Sequence, residues 1–258
     1  MTSADPIVER PLNPHRTAIV VGASSGFGAA LARELAGHGY DLGLFSRRLD
    51  RLQALAEEIE SIGRRAFVYQ HDVRQTEAIP ALLQQAVREL GGLDLFIYNA
   101  GTMFPQDPDI YDADQDLEVL DVNLVGAVAW LAPVAERFVR VGGGQIVGVG
   151  SIAGERGRRA LPAYAASKSG LHTYLEGLRN RVSRHAVTVT TLKPGQMQTE
   201  MLANAEKVRG PIAVDQAARL AWKAIESNKQ VAFIPARWAL VGLVIRHIPS
   251  FIFRRMKL

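Results

Sequence analysis

The hydrophobic pattern of this chain changes its period several times between residues 18 and 234. Short apolar runs of four to six residues have the length and composition of buried strands. Between these runs, apolar positions recur about every three or four residues, which is typical of amphipathic helices. The runs predict seven strands, at 18–21, 41–45, 66–69, 93–98, 145–149, 187–192 and 231–234. The intervening segments predict helices at 26–37, 49–62, 79–90, 117–139, 164–183 and 214–227.

Strands that alternate with helices predict a single α/β domain with a doubly wound Rossmann fold. Right-handed crossovers between the strands build a parallel sheet, here of seven strands, with helices on both faces. We expect residues 17–235 to form this domain. Residues 1–16 contain three prolines and no apolar core, which predicts an extended N-terminal arm. Residues 236–258 are apolar and basic, which predicts a C-terminal extension rather than a separate domain.

Composition and charge exclude several classes of function. Hydrophobic residues make up 48% of the 258-residue chain, which is enough for a substantial core. The net charge of +4 comes without a long basic run, so we expect no nucleic-acid partner. The chain has no cysteine and its six histidines lack ligand spacing, so we expect no metal site.

The terminal and apolar segments bear on where the protein acts. The first 16 residues lack the apolar stretch of a secretory signal. No apolar run approaches the ~20 residues that are needed to span a bilayer. We therefore expect a cytoplasmic protein.

A glycine-rich loop joins the first predicted strand to the first predicted helix. Glycine permits a tight turn and lets the backbone approach a pyrophosphate, while the helix N-terminus offers free N–H groups. The spacing, Gly-x-x-x-Gly-x-Gly, differs from the G-x-G-x-x-G of longer dehydrogenases, but the strand–loop–helix setting predicts a dinucleotide cofactor. The residues expected to bind it here are Gly22, Ser24, Ser25, Gly26, Phe27 and Gly28.

The ends of the next three strands refine the choice of cofactor. An NAD-binding domain usually carries a carboxylate after its second strand, whereas this chain has Arg47 and Arg48. A guanidinium pairs well with the ribose phosphate of NADP, so we expect NADP(H) in preference to NAD(H), the alternative being a solvated basic turn. Asp72 follows the third strand, next to Val73, and can accept from the adenine amino group. The small residues that follow the fourth strand and meet the cofactor are Asn99, Ala100 and Gly101.

Tyr164 and Lys168 are four residues apart in a predicted helix, so they share one face. A phenol titrates near pH ~10 in water, and an adjacent ammonium lowers that pKa. Such a pair can donate a proton to a substrate oxygen near neutral pH. Ser151 lies thirteen residues before Tyr164, at the end of a predicted strand. The pair alone is also compatible with a buried tyrosine beside a lysine that reaches solvent.

Together, these residues resemble the short-chain dehydrogenase/reductase family, and the resemblance covers residues 18–234. It implies a Rossmann sheet of seven strands and hydride transfer between a nicotinamide and a carbonyl or alcohol carbon. Two positions depart from the family pattern: Val21 replaces a common threonine, and Tyr98 replaces a common asparagine. The elements that carry the resemblance are Gly22-x-x-x-Gly26-x-Gly28, Asn99-Ala100-Gly101, Asn123, Ser151, Tyr164-x-x-x-Lys168, Pro194-Gly195 and Thr199.

The resemblance also implies roles for single residues. Tyr164 would donate the proton, Lys168 would lower its pKa and hold the nicotinamide ribose, and Ser151 would orient the substrate oxygen. Asn123 would hold a water that links Lys168 to solvent. The residues expected to flank the nicotinamide carboxamide are Pro194, Gly195 and Thr199. Family members commonly pair through their long helices, so we expect a homodimer or homotetramer.

Two stretches bear on the substrate. Arg156, Arg158 and Arg159 follow Ser151 and can bind an anionic group, the alternative being a solvated loop. The extension carries an apolar run at 238–245 with arginines on either side, which suits peripheral contact with the inner face of a membrane. The alternative is a helix that closes the protein's own pocket or a dimer contact.

The same two stretches resemble those of the decaprenylphosphoryl keto-ribose (2-ulose) reductases. That likeness rests on the sequences Gly-Glu-Arg-x-Arg-Arg at 154–159 and Arg-His-Ile-Pro at 246–249. It implies a keto-sugar linked to a polyprenyl phosphate as the substrate. A free acyl, steroid or terpenoid ketone or a small sugar would suit the same chemistry. A non-catalytic NADPH-binding sensor is the alternative from another class.

Overall fold

The computed structural model describes residues 16–104, 107, 109–203 and 210–256. The predicted N-terminal arm lies outside these residues, except for Arg16, which begins the first strand. The loop that follows the sixth strand is described only in part, because 204–209 are outside as well.

Seven parallel strands form one sheet in the described part of the chain. Their order is β3-β2-β1-β4-β5-β6-β7. β2 and β3 extend the sheet on one side of β1, and the order then reverses, with β4 on the other side of β1. A crevice opens at the carboxyl ends of the strands at such a reversal, and ligands bind there in open α/β sheets. The strands are β1 (Arg16–Val21), β2 (Tyr40–Ser46), β3 (Ala66–Gln70), β4 (Leu95–Tyr98), β5 (Gly144–Val149), β6 (Val187–Pro194) and β7 (Val231–Ile234).

Helices cover both faces of the sheet, which confirms the predicted doubly wound architecture. Alternate residues of one strand point to opposite faces, so Ala18 and Val20 join one core while Ile19 and Val21 join the other. Helices α1, α2 and α8 pack on the first face, and α3, α5 and α6 pack on the second. The described helices are α1 (Gly26–Gly37), α2 (Leu49–Ser61), α3 (Ile79–Leu90), α4 (Ala113–Leu120), α5 (Gly126–Val141), α6 (Pro162–Arg181), α7 (Glu200–Ala203), α8 (Val214–Glu226), α9 (Trp238–His247) and α10 (Ser250–Phe253).

The helix predicted over 117–139 is longer than expected and contains a wide turn. It runs from α4 into α5 through a π-helical turn at Asp121–Val125, and this turn brings Asn123 into the interior. Pro133 lies inside α5, and the helix continues past it to Val141. The sequence therefore located this helix correctly but gave no sign of its wide turn.

The combined helix Ala113–Val141 is also long and apolar enough to cross a membrane by length and composition alone. The expectation that no segment reaches that length is therefore wrong. However, its apolar side chains Trp130, Leu131 and Val134 are fully buried against the sheet. Packing within the fold explains why they are apolar.

Candidate active site

A groove with a volume of about 380 Å³ lies at the carboxyl ends of the central strands. Most of the residues predicted to bind cofactor or substrate line it. Gly28, Asn123 and the three arginines after Ser151 do not. The predicted residues in its wall are Gly22, Ser24, Ser25, Gly26, Phe27, Arg47, Arg48, Asp72, Val73, Asn99, Ala100, Gly101, Ser151, Tyr164, Lys168, Pro194, Gly195 and Thr199.

The glycine loop forms one end of this groove, and a side chain would not fit at Gly22 or Gly28. Gly22 has a φ of +86°, and a Cβ there would lie 2.6 Å from the backbone of Ala100. A Cβ at Gly28 would lie 2.1 Å from the carbonyl oxygen of Gly22. Asn99 Nδ2 donates to that same oxygen over 2.8 Å. Gly28 therefore lies against the start of the loop, and the binding of a pyrophosphate at Gly22 and Gly26 stays a prediction.

The two arginines after β2 differ in their surroundings. Arg48 donates to the hydroxyls of Ser24 and Ser25 over 2.9 and 2.5 Å, and it also pairs with Glu200 at 3.3 Å. Its guanidinium therefore braces the glycine loop. Arg47 is exposed at the groove, and its side chain has no hydrogen bond or ion pair with the described residues. Of the pair, Arg47 is the one that is available to an added phosphate.

The carboxylate at the end of β3 is already engaged. Asp72 accepts from the Arg74 guanidinium at 2.6 Å and from the Arg74 backbone N–H at 3.0 Å. The Arg74 hydrogen bond is the main reason why the pKa of Asp72 lies below its ordinary value. His71 also lines the groove here, although it belongs to no motif in the sequence.

Ser151, Tyr164 and Lys168 converge at the other end of the groove. The Ser151 hydroxyl is close enough to the Tyr164 side chain to lower its pKa. Burial raises the pKa of Tyr164, and this outweighs the lowering by Ser151 and by the charge of Arg158. The direction is opposite to the sequence prediction, in which Lys168 lowers the tyrosine pKa. Burial acts on the phenol more strongly than any neighbouring charge here.

Lys168 is itself buried, with 4% of its surface exposed. Its Nζ donates to the carbonyl of Val149 over 2.9 Å and lies 5.9 Å from the centre of the Tyr164 ring. Burial lowers its pKa to about 8, so the side chain is mostly an ammonium at neutral pH. The amine is therefore a fixed cation in the wall of the groove rather than a direct partner of the phenol.

Asn123 is fully buried beside this group without lining the groove. Its Nδ2 donates to the Thr102 carbonyl and to the Ser167 hydroxyl over 3.0 and 3.1 Å. Its Oδ1 accepts from the Thr102 N–H over 2.7 Å. The amide thus ties the wide helix turn to the loop after β4, while the predicted water between Asn123 and Lys168 stays a prediction.

The three arginines after Ser151 have three different environments. Arg156 donates to the carbonyls of Ile245 and Ile248 at the end of α9, and its guanidinium lies 4.2 Å from the centre of the Phe253 ring. Its assignment to the substrate is therefore corrected, because its charge holds the C-terminal segment in place.

The other two arginines have different neighbours. Arg159 pairs weakly with Asp109 at 3.5 Å, and both side chains are exposed. Arg158 is half-buried and close enough to Tyr164 for its charge to affect the phenol. Of the three, Arg158 remains the candidate for contact with a substrate.

Sequence reasoning missed a second layer of residues behind Ser151. Glu155, His172 and Lys193 form a buried polar cluster there, and Arg246 reaches it from α9. Trp238 packs on Gly195, where a Cβ would lie 2.0 Å from the indole nitrogen. One signal was present, since His172 continues the four-residue spacing of Tyr164 and Lys168.

Comparison with known proteins gives a consistent picture. The sequence model of the family described as short chain dehydrogenase matches residues 16–210. An uncharacterized oxidoreductase of Myxococcus xanthus is 37% identical over 189 residues, which cover 73% of this chain and 75% of that protein. An uncharacterized oxidoreductase of Mycobacterium tuberculosis is 31% identical over 243 residues, which cover 92% and 95%. The structure of a short-chain dehydrogenase from Sphingobium yanoikuyae in complex with NADPH has a TM-score of 0.79 and 27% identity, with 91% of this chain and 96% of that chain covered.

Proposed function

Because this chain belongs to the short-chain dehydrogenase/reductase family of NAD(P)-dependent oxidoreductases, we propose that it transfers a hydride between NADP(H) and a carbonyl or alcohol carbon. The observation that carries the proposal is the convergence of Ser151, Tyr164 and the buried Lys168 ammonium at the inner end of the groove. Two hydroxyls and a fixed cation are thereby held together where a substrate oxygen can reach them.

These groups have separate tasks in the proposed reduction. The cofactor supplies the hydride to the carbonyl carbon. Tyr164 gives its phenolic proton to the oxygen that gains negative charge, and Ser151 holds this oxygen by a hydrogen bond. The Lys168 charge favours the phenolate that the proton transfer leaves behind.

Oxidation of NADPH in the presence of a panel of ketones tests this reaction. We expect turnover with at least one ketone and none in its absence. A protein that binds NADPH tightly but oxidises it with no member of the panel would instead support the sensor alternative. The sensor reading gives no reason for a serine, a tyrosine and a lysine to converge on one pocket.

We further propose that NADP(H) is preferred over NAD(H). Arg47 is exposed at the groove at the end of β2, and within the described residues no carboxylate neutralises it by an ion pair. A guanidinium there can form charge-assisted hydrogen bonds with a ribose phosphate. The similar Sphingobium yanoikuyae enzyme was solved with NADPH, which supports the same preference.

Replacing Arg47 tests this preference. We expect Arg47→Leu to raise the KM for NADPH by about tenfold to a hundredfold, since a hydrogen bond to a charged group contributes about 1.5–3 kcal/mol. The KM for NADH should stay within about a factor of two, because NADH lacks the phosphate. The exposed Arg184 provides the control, as Arg184→Leu removes the same charge elsewhere. Equal effects of Arg47→Leu on both cofactors would contradict the proposal.

For the substrate, we propose a hydrophobic or lipid-linked carbonyl compound that reaches the enzyme at the cytoplasmic face of a membrane. Helices α9 and α10 present large apolar side chains to solvent, and Leu240 is 67% exposed. Residues 236–258 include five arginines and lysines and no acidic residue. An apolar surface with a basic border fits an anionic bilayer surface. The exposed apolar residues are Leu240, Val241, Leu243, Val244, Phe251, Ile252 and Met256.

Vesicle binding tests the membrane contact. We expect the protein to sediment with phosphatidylglycerol vesicles at low salt, and the double variant Leu240→Ser and Val244→Ser to lose this binding, since each change removes exposed apolar area. The matched control is Leu117→Ser, because Leu117 is 55% exposed on α4. A wild-type protein that never sediments with vesicles, even at low salt, would refute the contact.

Within this class, a keto-sugar on a polyprenyl phosphate is our narrower proposal. The half-buried Arg158 near Tyr164 supports it, because its charge lies close to the phenol. A free ketone of an acyl chain, steroid or terpenoid, or a small sugar, remains the alternative. Native mass spectrometry of the purified protein distinguishes them through the mass of any bound lipid, and also tests the predicted homodimer or homotetramer.

A further inference from the structure

A buried polar cluster lies directly behind Ser151 and outside the groove. Glu155 forms its centre, with a side chain that is only 3% exposed. One carboxylate oxygen accepts from Lys193 over 2.6 Å, and the other accepts from Arg246. The imidazole of His172 completes the cluster, with Nδ1 3.7 Å from Glu155 Oε1. The proposed hydride transfer uses none of these four groups.

The backbone of Ser151 is bound to this cluster. Its N–H donates to His172 Nε2 over 3.3 Å, so Nε2 must carry a lone pair. The ring proton is then on Nδ1, on the side of Glu155. Burial, followed by the charges of Lys193, Lys168 and Arg246, lowers the pKa of His172 to about 3, so the ring is neutral. Its contact with Glu155 is therefore polar rather than an ion pair.

The loop around Ser151 is shaped to hold the imidazole. A Cβ at Gly150 would lie 2.2 Å from His172 Nε2, and a Cβ at Gly154 would lie 2.7 Å from its Cε1. The backbone on both sides of Ser151 can approach the ring this closely only because these two residues are glycines. His172 is therefore enclosed by the loop that carries the serine.

The position of the Ser151 side chain depends on the same loop. Its hydroxyl accepts from the Ala153 N–H over 3.1 Å and is close enough to Tyr164 to lower the pKa of the phenol. The Ser151 carbonyl accepts from the Gly154 N–H over 3.1 Å. Movement of the backbone at Ser151 would therefore move the hydroxyl away from the phenol.

We propose that His172 is a positioning residue, which fixes the backbone of Ser151 through Nε2, and that Glu155 keeps the ring in the required tautomer. This inference rests on the proposed function, since it gives the reason for holding Ser151 in place. His172 touches neither the phenol nor the groove, and it acts through the serine. Glu155 also joins Lys193 on β6 to Arg246 on α9, so one carboxylate holds together the surroundings of Ser151.

Two substitutions of His172 test the proposal. In His172→Leu, no acceptor remains for the Ser151 N–H, whereas the amide oxygen of His172→Gln can replace Nε2. We expect kcat with the best ketone to fall about tenfold to a hundredfold in His172→Leu, because small displacements of a reacting group have effects of this size. In His172→Gln, kcat should largely recover. The KM for NADPH should change little in either variant.

The same measurement of kcat provides a control and the result that would contradict the role of His172. His185 is exposed, so His185→Leu should leave kcat unchanged. Equal kcat values for His172→Leu and His172→Gln would overturn the proposal, because a role in packing alone does not depend on an acceptor for the Ser151 N–H.

A second measurement does not depend on activity. Proton–nitrogen NMR of the imidazole in the wild-type protein distinguishes a protonated nitrogen from a free one. We expect Nδ1 to be protonated, Nε2 to be free, and neither to titrate between about pH 5 and 8, where an ordinary histidine does. A protonated Nε2 or a titrating ring would overturn the proposal. If no ketone were turned over, the proposed function would fail while this spectrum still tested His172.

Discussion

Tyr164→Phe is expected to lower turnover by about a hundredfold to ten thousandfold, the range that a positioned general acid contributes. Phenylalanine keeps the ring and its packing, but it has no proton to give to the substrate oxygen. The variant also removes the phenol that lies beside the Ser151 hydroxyl. NADPH affinity should stay close to that of the wild type, because the Lys168 ammonium and the glycine loop are unchanged.

Single-turnover kinetics and a fluorescence titration with NADPH measure these two effects separately. Tyr174 provides the control, since it is a half-buried tyrosine on the same helix and does not line the groove. Tyr174→Phe should keep nearly all activity. If Tyr164→Phe kept near-normal activity, the assignment of Tyr164 as proton donor would be wrong.

Glu155→Gln is expected to destabilise the protein by about 3–5 kcal/mol, the usual effect of breaking a buried ion pair. The carboxylate is 3% exposed, and the Lys193 side chain that it binds is 10% exposed. A neutral amide would leave the lysine charge buried without a counter-charge. Arg246 matters less, because its side chain is 58% exposed and can reach water.

Urea denaturation of the wild type and the variants measures this change in the free energy of unfolding. The double variant Glu155→Leu and Lys193→Met should recover much of the loss, because replacing a buried pair with apolar groups is often neutral. Glu118→Gln is the surface control, since Glu118 pairs with Arg74 at 3.6 Å and is 37% exposed. Its effect should stay within about 1 kcal/mol. If Glu155→Gln lowered the free energy of unfolding by no more than Glu118→Gln does, the prediction would be wrong.

The sheet and the cofactor loop could be predicted from sequence because their signals are local. Each strand is a short apolar run, and the loop between β1 and α1 contains its own glycines. The spacing of Tyr164 and Lys168 is likewise local to one helix. The structure accordingly brings both residues to the groove, together with Ser151.

What the sequence could not predict depends on contacts between distant segments. Arg156 adjoins the serine loop in sequence, yet its partners Ile245 and Ile248 lie about ninety residues away. The pKa of Tyr164 rises through burial, which results from the packing of the whole domain. Nothing in the sequence at Asp121–Val125 distinguishes the wide turn from an ordinary α-helical turn. In each case the neighbouring sequence also fits a simpler arrangement, namely a solvated arginine, a tyrosine without a raised pKa or a regular α-helix.

The bond between Arg156 and the end of α9 has a consequence for synthesis on the ribosome. The glycine loop and the strands beside it emerge early, and they can pair before the last helices are translated. The loop after Ser151 reaches its full set of partners only when residues 245–250 have left the exit tunnel. The hydrogen bonds that join the serine loop to the C-terminal segment can therefore form only after nearly the whole chain has been translated.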